Sequence, residues 1–167
     1  MNYFKKIFIT FLSALILTVV NTSSSFAKVE GDTIVLGAAV SLTGKYSSNG
    51  VHTQNGYNLA VERINSMGGV KVKGKNYKFK IIYYDDESNS GRAAQLAERL
   101  IKQDGVQYML GPYSSGLTKA MAPVTEKYKI PMVEANGASR SLFTKGYKYL
   151  FAVLAPANLY LDVAIDL

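Results

Sequence analysis

The decapeptide GPYSSGLTKA, residues 111–120, puts two adjacent serines where an apolar run ends and a helical pattern begins. Serines so placed can attack a substrate or hold one. A nucleophilic serine needs a base to take its proton and a third group to orient that base. The chain has a single histidine, His52, near the expected start of a helix, where a solvated surface position accounts for it. Gly111 lies three residues before Ser114, not the two that a nucleophile elbow requires. Catalysis by Ser114 or Ser115 is not expected, and the protein is not read as an enzyme. Holding an anion fits better. A helix start offers unpaired backbone N–H groups and the positive end of the dipole. A serine hydroxyl adds a donor, and Gly116 lets a ligand approach the backbone. Capping of the helix would also place a serine here, but a second loop of small residues at the neighbouring strand end favours a site.

Other residues with chemical potential lead elsewhere. In YYDDES, residues 83–88, three carboxylates follow one another without the alternating spacing of a calcium loop. A turn that favours the positive start of a helix, with Ser88 or Ser90 as cap, explains them. Neither GxGxxG nor GxxxxGK[ST] occurs, and zero cysteines exclude disulfides and thiolate metal sites. No metal or other cofactor is expected. Most of the twelve tyrosines fall on strand or helix faces where they can pack. Tyr46, in a loop, is placed to line a pocket instead.

These loops must be held by regular elements. TIVLGAAV (33–40), YKFKIIYY (77–84), VQYMLG (106–111), IPMVEA (130–135) and YLFAVL (149–154) are short, largely apolar runs of strand length. Between them, VHTQNGYNLAVERINSMGG (51–69) places Tyr57, Leu59, Ala60, Val61 and Ile64 at helical spacing and stops at a glycine pair. RAAQLAERLIKQDG (92–105) gathers Ala93, Leu96, Ala97, Leu100 and Ile101 on one face, and SGLTKAMAPVTEKYK (115–129) forms a third helix with a kink expected at Pro123. Strands alternating with helices predict a doubly wound α/β domain, a parallel sheet with helices on both faces. In such sheets ligands collect beyond the carboxyl ends of the strands, near the switch in strand order. Three loops of small polar residues leave those ends, at 41–50, 111–116 and 135–139, and form the candidate site.

The first 27 residues read as a secretory leader: Lys5 and Lys6, then an apolar run over 7–20, then Ser25-Phe26-Ala27 as a cleavage signal. Fourteen residues fall short of the roughly 20 that span a bilayer. Cleavage after Ala27 leaves 140 residues, close to one typical domain, and lowers the net charge from +7 to +5. Lys71, Lys73, Lys75, Lys78 and Lys80 cluster beside strand residues as a solvated face, so no nucleic-acid partner is expected.

The succession TIVLGAAVSLTGKYSSNG, GYNLAVERINSMGGVKVKGKNYKFKIIYYDDES, RAAQLAERLIKQDGVQYMLGPYSS and IPMVEANGAS…GYKYLF resembles the periplasmic leucine/isoleucine/valine-binding proteins, the type I substrate-binding proteins of ABC importers for amino acids. The resemblance runs from about Thr33 to Leu154 and implies two α/β lobes with ligand clamped between them. Residues 28–154 would be lobe one, and 155–167 the first crossing and the start of lobe two, so the chain is expected to belong to a longer protein. The resemblance implies a ligand α-carboxylate against Ser114, Ser115 and Gly116, with Ser115 matching the serine that contacts ligand. The loop Asn136 to Ser139 would give a carbonyl to the ammonium and a hydroxyl or N–H groups to the carboxylate. Ala138 stands where branched-chain binders carry a threonine, with Ser139 as a neighbouring substitute, and Asn49 where they often carry an aromatic. The implied role is a periplasmic substrate-binding component, a monomer when full length, that passes a small amino-acid-like ligand to an ABC permease. A ligand-sensing ectodomain of the same fold is the alternative.

Overall fold

The computed structural model describes residues 29–161. The leader expected over residues 1–27, and residues 162–167 of the expected crossing, lie outside the described residues.

All five expected strands form. β2 (Thr33–Val40) is central, paired in parallel with β4 (Lys75–Asp85) from Thr33 opposite Lys78 to Val40 opposite Asp85. On its other side it pairs with β5 (Met109–Leu110), which is followed by β6 (Met132–Glu134) and β7 (Leu150–Ala152), all parallel. Two further strands escape the apolar-run reading. β1 (Val29–Glu30) folds back on β2, and β3 (Val70–Val72) pairs antiparallel with β4, giving the order β3-β4-β2-β5-β6-β7. The β3–β4 turn is Lys73-Gly74, both at positive φ (48° and 85°), as a two-residue hairpin with right-handed strand twist requires.

The chain leaves β2 toward β4 and then crosses back to β5. Right-handed crossovers therefore set α1 (Ser47–Ser66) on one face, and α2 (Ser90–Lys102) and α3 (Ser115–Tyr128) on the other. The second face holds the core. Val35 and Ala39 of β2 pack with Leu96 and Leu100 of α2, Leu117 and Met121 of α3, Met109 and Met132, all buried. Each large side chain so buried contributes about 1.5–3 kcal/mol.

Three sequence expectations need correction. α1 begins at Ser47, not near Val51, and its apolar stripe does not face the core. Leu59 is 67% exposed, and Gly50 and Thr53 are the buried members. Periodicity marks an apolar side but not what covers it. Gly50 is there because the helix crosses β2 so closely that a Cβ would overlap the Ser41 carbonyl. The cap of α2 is Asn89, whose side chain accepts from the Arg92 N–H at 2.9 Å, rather than Ser88 or Ser90. Ser88 is engaged elsewhere, as described below. The ladder of β5 is limited to two residues of the expected 106–111, although the Tyr108 carbonyl still accepts from Gly37 N–H at 3.0 Å. α3 holds Pro123 within its span, on its exposed side, where the carbonyl that the proline frees can meet water.

Candidate ligand-binding site

The switch in strand order falls between β2 and β5, so the loops leaving these strands flank one crevice at their carboxyl ends. The first loop is held by the acidic run. Asp85 Oδ1 accepts the N–H groups of Leu42 (2.9 Å), Thr43 (3.2 Å) and Glu87 (2.8 Å), and its Oδ2 accepts the Thr43 hydroxyl at 2.7 Å. Burial pushes the pKa of this carboxyl up, but the hydrogen bonds from Thr43, Glu87 and Leu42 outweigh it and hold it below the usual value. Asp86 is fully buried and accepts the Ser41 hydroxyl at 2.6 Å and the Ser88 N–H at 2.8 Å. Its burial pushes the carboxyl up. Ser88 donates its hydroxyl to the Thr43 carbonyl at 2.7 Å and accepts the Tyr46 N–H at 3.0 Å. The run Asp85–Ser88 thus serves as the frame of the first loop. Among the described residues, no group of three or more His, Cys, Asp or Glu is placed to hold a metal ion.

The second loop turns at Ser114, which caps α3: its Oγ accepts the Leu117 N–H at 3.4 Å and its carbonyl accepts the Thr118 hydroxyl at 2.9 Å. Ser114 has φ 81° and ψ 146°, a conformation that costs a non-glycine residue on the order of 1–3 kcal/mol. Ser115 plays a different part. Its Oγ accepts the backbone N–H of Ser139 at 3.0 Å, tying the second loop to the third. Gly116 follows, exposed, in the first turn of the helix.

The third loop is organised by Glu134, the last residue of β6. Its side chain is fully buried, and Oε2 accepts the N–H groups of Asn136 (3.0 Å) and Gly137. Desolvation pushes its carboxyl up, opposed by those two hydrogen bonds. Ser139 Oγ lies 2.9 Å from Ser141 Oγ, and the Ala138 carbonyl accepts the Ala157 N–H at 2.8 Å.

A cavity of about 400 Å³ opens between these loops and α1. The helix contributes Asn49, His52, Thr53, Gly56 and Tyr57, and the loops contribute Tyr113, Ala135 and Asn136. Of the sequence-predicted residues, Asn49 and Asn136 line it directly. Tyr46 stands behind it, its ring edge-on to Tyr113 with centroids 5.5 Å apart at 62°. Ser114, Ser115, Gly116, Ala138 and Ser139 form the adjoining loop junction rather than the cavity wall.

Sequence reasoning missed Tyr57, Tyr113 and Glu134. Tyr57 was assigned to a packed helix face. It is half-buried in the cavity, and its hydroxyl donates to the Gly111 carbonyl at 2.8 Å. Burial first, and then the Glu134 charge, keep its phenol protonated well above the usual range. Glu134 had a signal, as the one acid in the apolar run IPMVEA.

Residues 33–165 match the family described as periplasmic binding protein. The leucine-, isoleucine-, valine-, threonine-, and alanine-binding protein of Pseudomonas aeruginosa is 26% identical over 133 residues, covering 80% of this chain and 34% of that protein. Among solved structures, the branched-chain amino acid transporter substrate binding protein LivJ from Streptococcus pneumoniae, in complex with isoleucine, is 28% identical with a TM-score of 0.67. The match covers 80% of this chain and 39% of LivJ. A solute binding protein of an ABC transporter from Rhodopseudomonas palustris, in complex with 3,4-dihydroxy benzoic acid, is 28% identical with a TM-score of 0.61, over 72% of this chain and 31% of that one. The chain spans about a third of the length of the curated relatives it matches. No helix among the described residues is long and apolar enough to cross a membrane. With its switch-point crevice, its mostly parallel sheet and a family match over most of its length, the chain belongs to the periplasmic binding protein family.

Proposed function

We propose that this protein is the extracytoplasmic substrate-binding component of an ABC importer, that its ligand is a branched-chain or similar small amino acid, and that it acts by capture and delivery to a membrane permease rather than by catalysis. Residues 28–154 serve as the first of two lobes, and 155–167 begin the crossing to the second. The observation that carries this reading is the junction at the switch point, where Ser115 at the start of α3 is bonded to the Ser139 N–H beside the cavity. Ser115 accepts that bond and keeps its own proton for a ligand oxygen, while Gly116 gives access to N–H groups of the first turn. A carboxylate fits this place, and isoleucine and 3,4-dihydroxybenzoate, the ligands of two relatives, share that group. Tyr57, Tyr113 and Asn136 then face the rest of the ligand.

A thermal-shift screen of the full-length protein against amino acids, amides and related acids tests this, since a ligand that binds only the native state raises its melting temperature. At least one small amino acid is expected to do so. A protein stabilised by none of them would contradict the reading.

A further inference from the structure

Glu134 is 0% exposed, yet no basic side chain among the described residues forms an ion pair with it. Its Oε1 is buried without a hydrogen-bond partner among the described residues. Burying a carboxylate in this way is costly unless something compensates it. The surroundings are shaped to keep it. A Cβ on Gly111 would come within 2.5 Å of Glu134 Cβ, and one on Gly137 within 2.6 Å of its Oε2. The carboxylate lies directly behind the cavity wall, because Asn136, which lines the cavity, donates its N–H to Oε2. Tyr57, the wall on the other side, feels the Glu134 charge.

Two consequences follow from elementary electrostatics. The N–H groups of Asn136 and Gly137 are spent on Oε2, and that of Ser139 on Ser115, so this stretch of the third loop has fewer donors for an anion. When ionised, Glu134 places a negative charge behind Asn136 that, poorly screened by water, repels a ligand anion and attracts a cation on that side. The start of α3 at Ser115 and Gly116 carries the opposite polarity. The start of α3 thus favours an anion, and the ionised Glu134 behind Asn136 favours a cation.

We propose that Glu134 is a specificity-determining residue that selects ligands bearing an ammonium group on the Asn136 side and disfavours carboxylic acids that lack one. The proposal rests on the amino-acid reading above and adds to it a residue outside the cavity lining.

The test is calorimetric titration of the full-length protein with matched pairs: leucine, valine and alanine against 4-methylpentanoate, 3-methylbutanoate and propanoate, with 3,4-dihydroxybenzoate as an aromatic acid. Glu134→Gln keeps the shape and an oxygen for the two N–H groups while removing the charge. Glu134→Met fills the same slot with an apolar chain and covers the case in which glutamine is not tolerated there. The wild type is expected to prefer the amino acid in at least one pair, and each variant to reduce that preference by about tenfold or more. Merely structural damage would weaken both members of a pair alike. An unchanged ratio in a folded variant that still binds the amino acid overturns the role of Glu134 and leaves the amino-acid reading standing. Binding of 3,4-dihydroxybenzoate by the wild type, with no amino acid bound, overturns both.

Discussion

The backbone N–H of Ser139 donates to the hydroxyl oxygen of Ser115 across 3.0 Å, joining the loop after β6 to the first turn of α3, 24 residues earlier in the chain. The bond lets two loops from neighbouring strands act as one surface. Replacing Ser115 with alanine leaves that N–H without its acceptor, at a cost of about 1–3 kcal/mol if it stays buried. Ser115→Ala is expected to lower the melting temperature and to speed hydrogen exchange at Ser139 more than at core amides such as Leu100. Unchanged exchange at Ser139 would show that the tie carries no weight.

Ser114 next to it holds a left-handed conformation that few non-glycine residues adopt. Its capping bond to Leu117 is long, 3.4 Å. Ser114→Gly relieves the backbone and gives up only a few tenths of a kcal/mol of capping, so it is expected to be neutral or stabilising by up to about 1 kcal/mol. Ser114→Ala keeps the strain, loses the cap and is expected to destabilise. Denaturant melts of the two variants side by side decide this, and the reverse ranking would refute the strain.

Stability should respond to pH in two opposite ways. Asp85, held below the usual carboxylate range, contributes stability that is present above that range and is lost as pH falls through its folded value. Asp86 and Glu134, pushed up by burial, bind protons more readily folded than unfolded, so their charging erodes stability as pH rises from the usual range through their folded values. Denaturation midpoints measured between about pH 3 and pH 8 should therefore lose part of their acid-side fall in Asp85→Asn and part of their decline at higher pH in Glu134→Gln. Identical pH profiles for wild type and both variants would contradict these assignments.

Residues 28–167 produced on their own are expected to bind amino acids no better than about millimolar, because a ligand on one lobe stays in contact with water and its hydrogen bonds yield little net free energy. Leu59, Val153 and Leu161, 67%, 73% and 66% exposed, predict self-association of this piece as well. Sedimentation and calorimetry on it check both points. Micromolar affinity would mean that the loops of this lobe already complete the site.

Much of this arrangement was legible in the sequence. Short apolar runs alternating with helical patterns gave five strands in their parallel order of use, and the loops at their ends contain every loop residue that lines the cavity. What remained hidden shared one character: it depended on partners far apart in sequence. Two serines at a helix start look alike, and only the fold shows that Ser114 caps while Ser115 crosses to Ser139. The acidic run reads correctly as a turn rather than a metal loop, but the bonds of Asp85 and Asp86 to Ser41, Leu42 and Thr43 cannot be read from it. Tyr57 carries an apolar ring that suits a packed face, and its turn toward Gly111 is set by the crossing of α1 over β2. Lys73-Gly74 makes a hairpin although lysine is not a residue that turn usually selects.

The proposed function places an amino-acid carboxylate at Ser115. Titration calorimetry of the full-length protein, wild type against Ser115→Ala, with the amino acid that stabilises it most, tests this directly. A hydrogen bond to a charged group contributes about 1.5–3 kcal/mol, so the variant is predicted to bind roughly ten- to a hundredfold more weakly. Wild-type affinity in a folded Ser115→Ala protein would contradict the account.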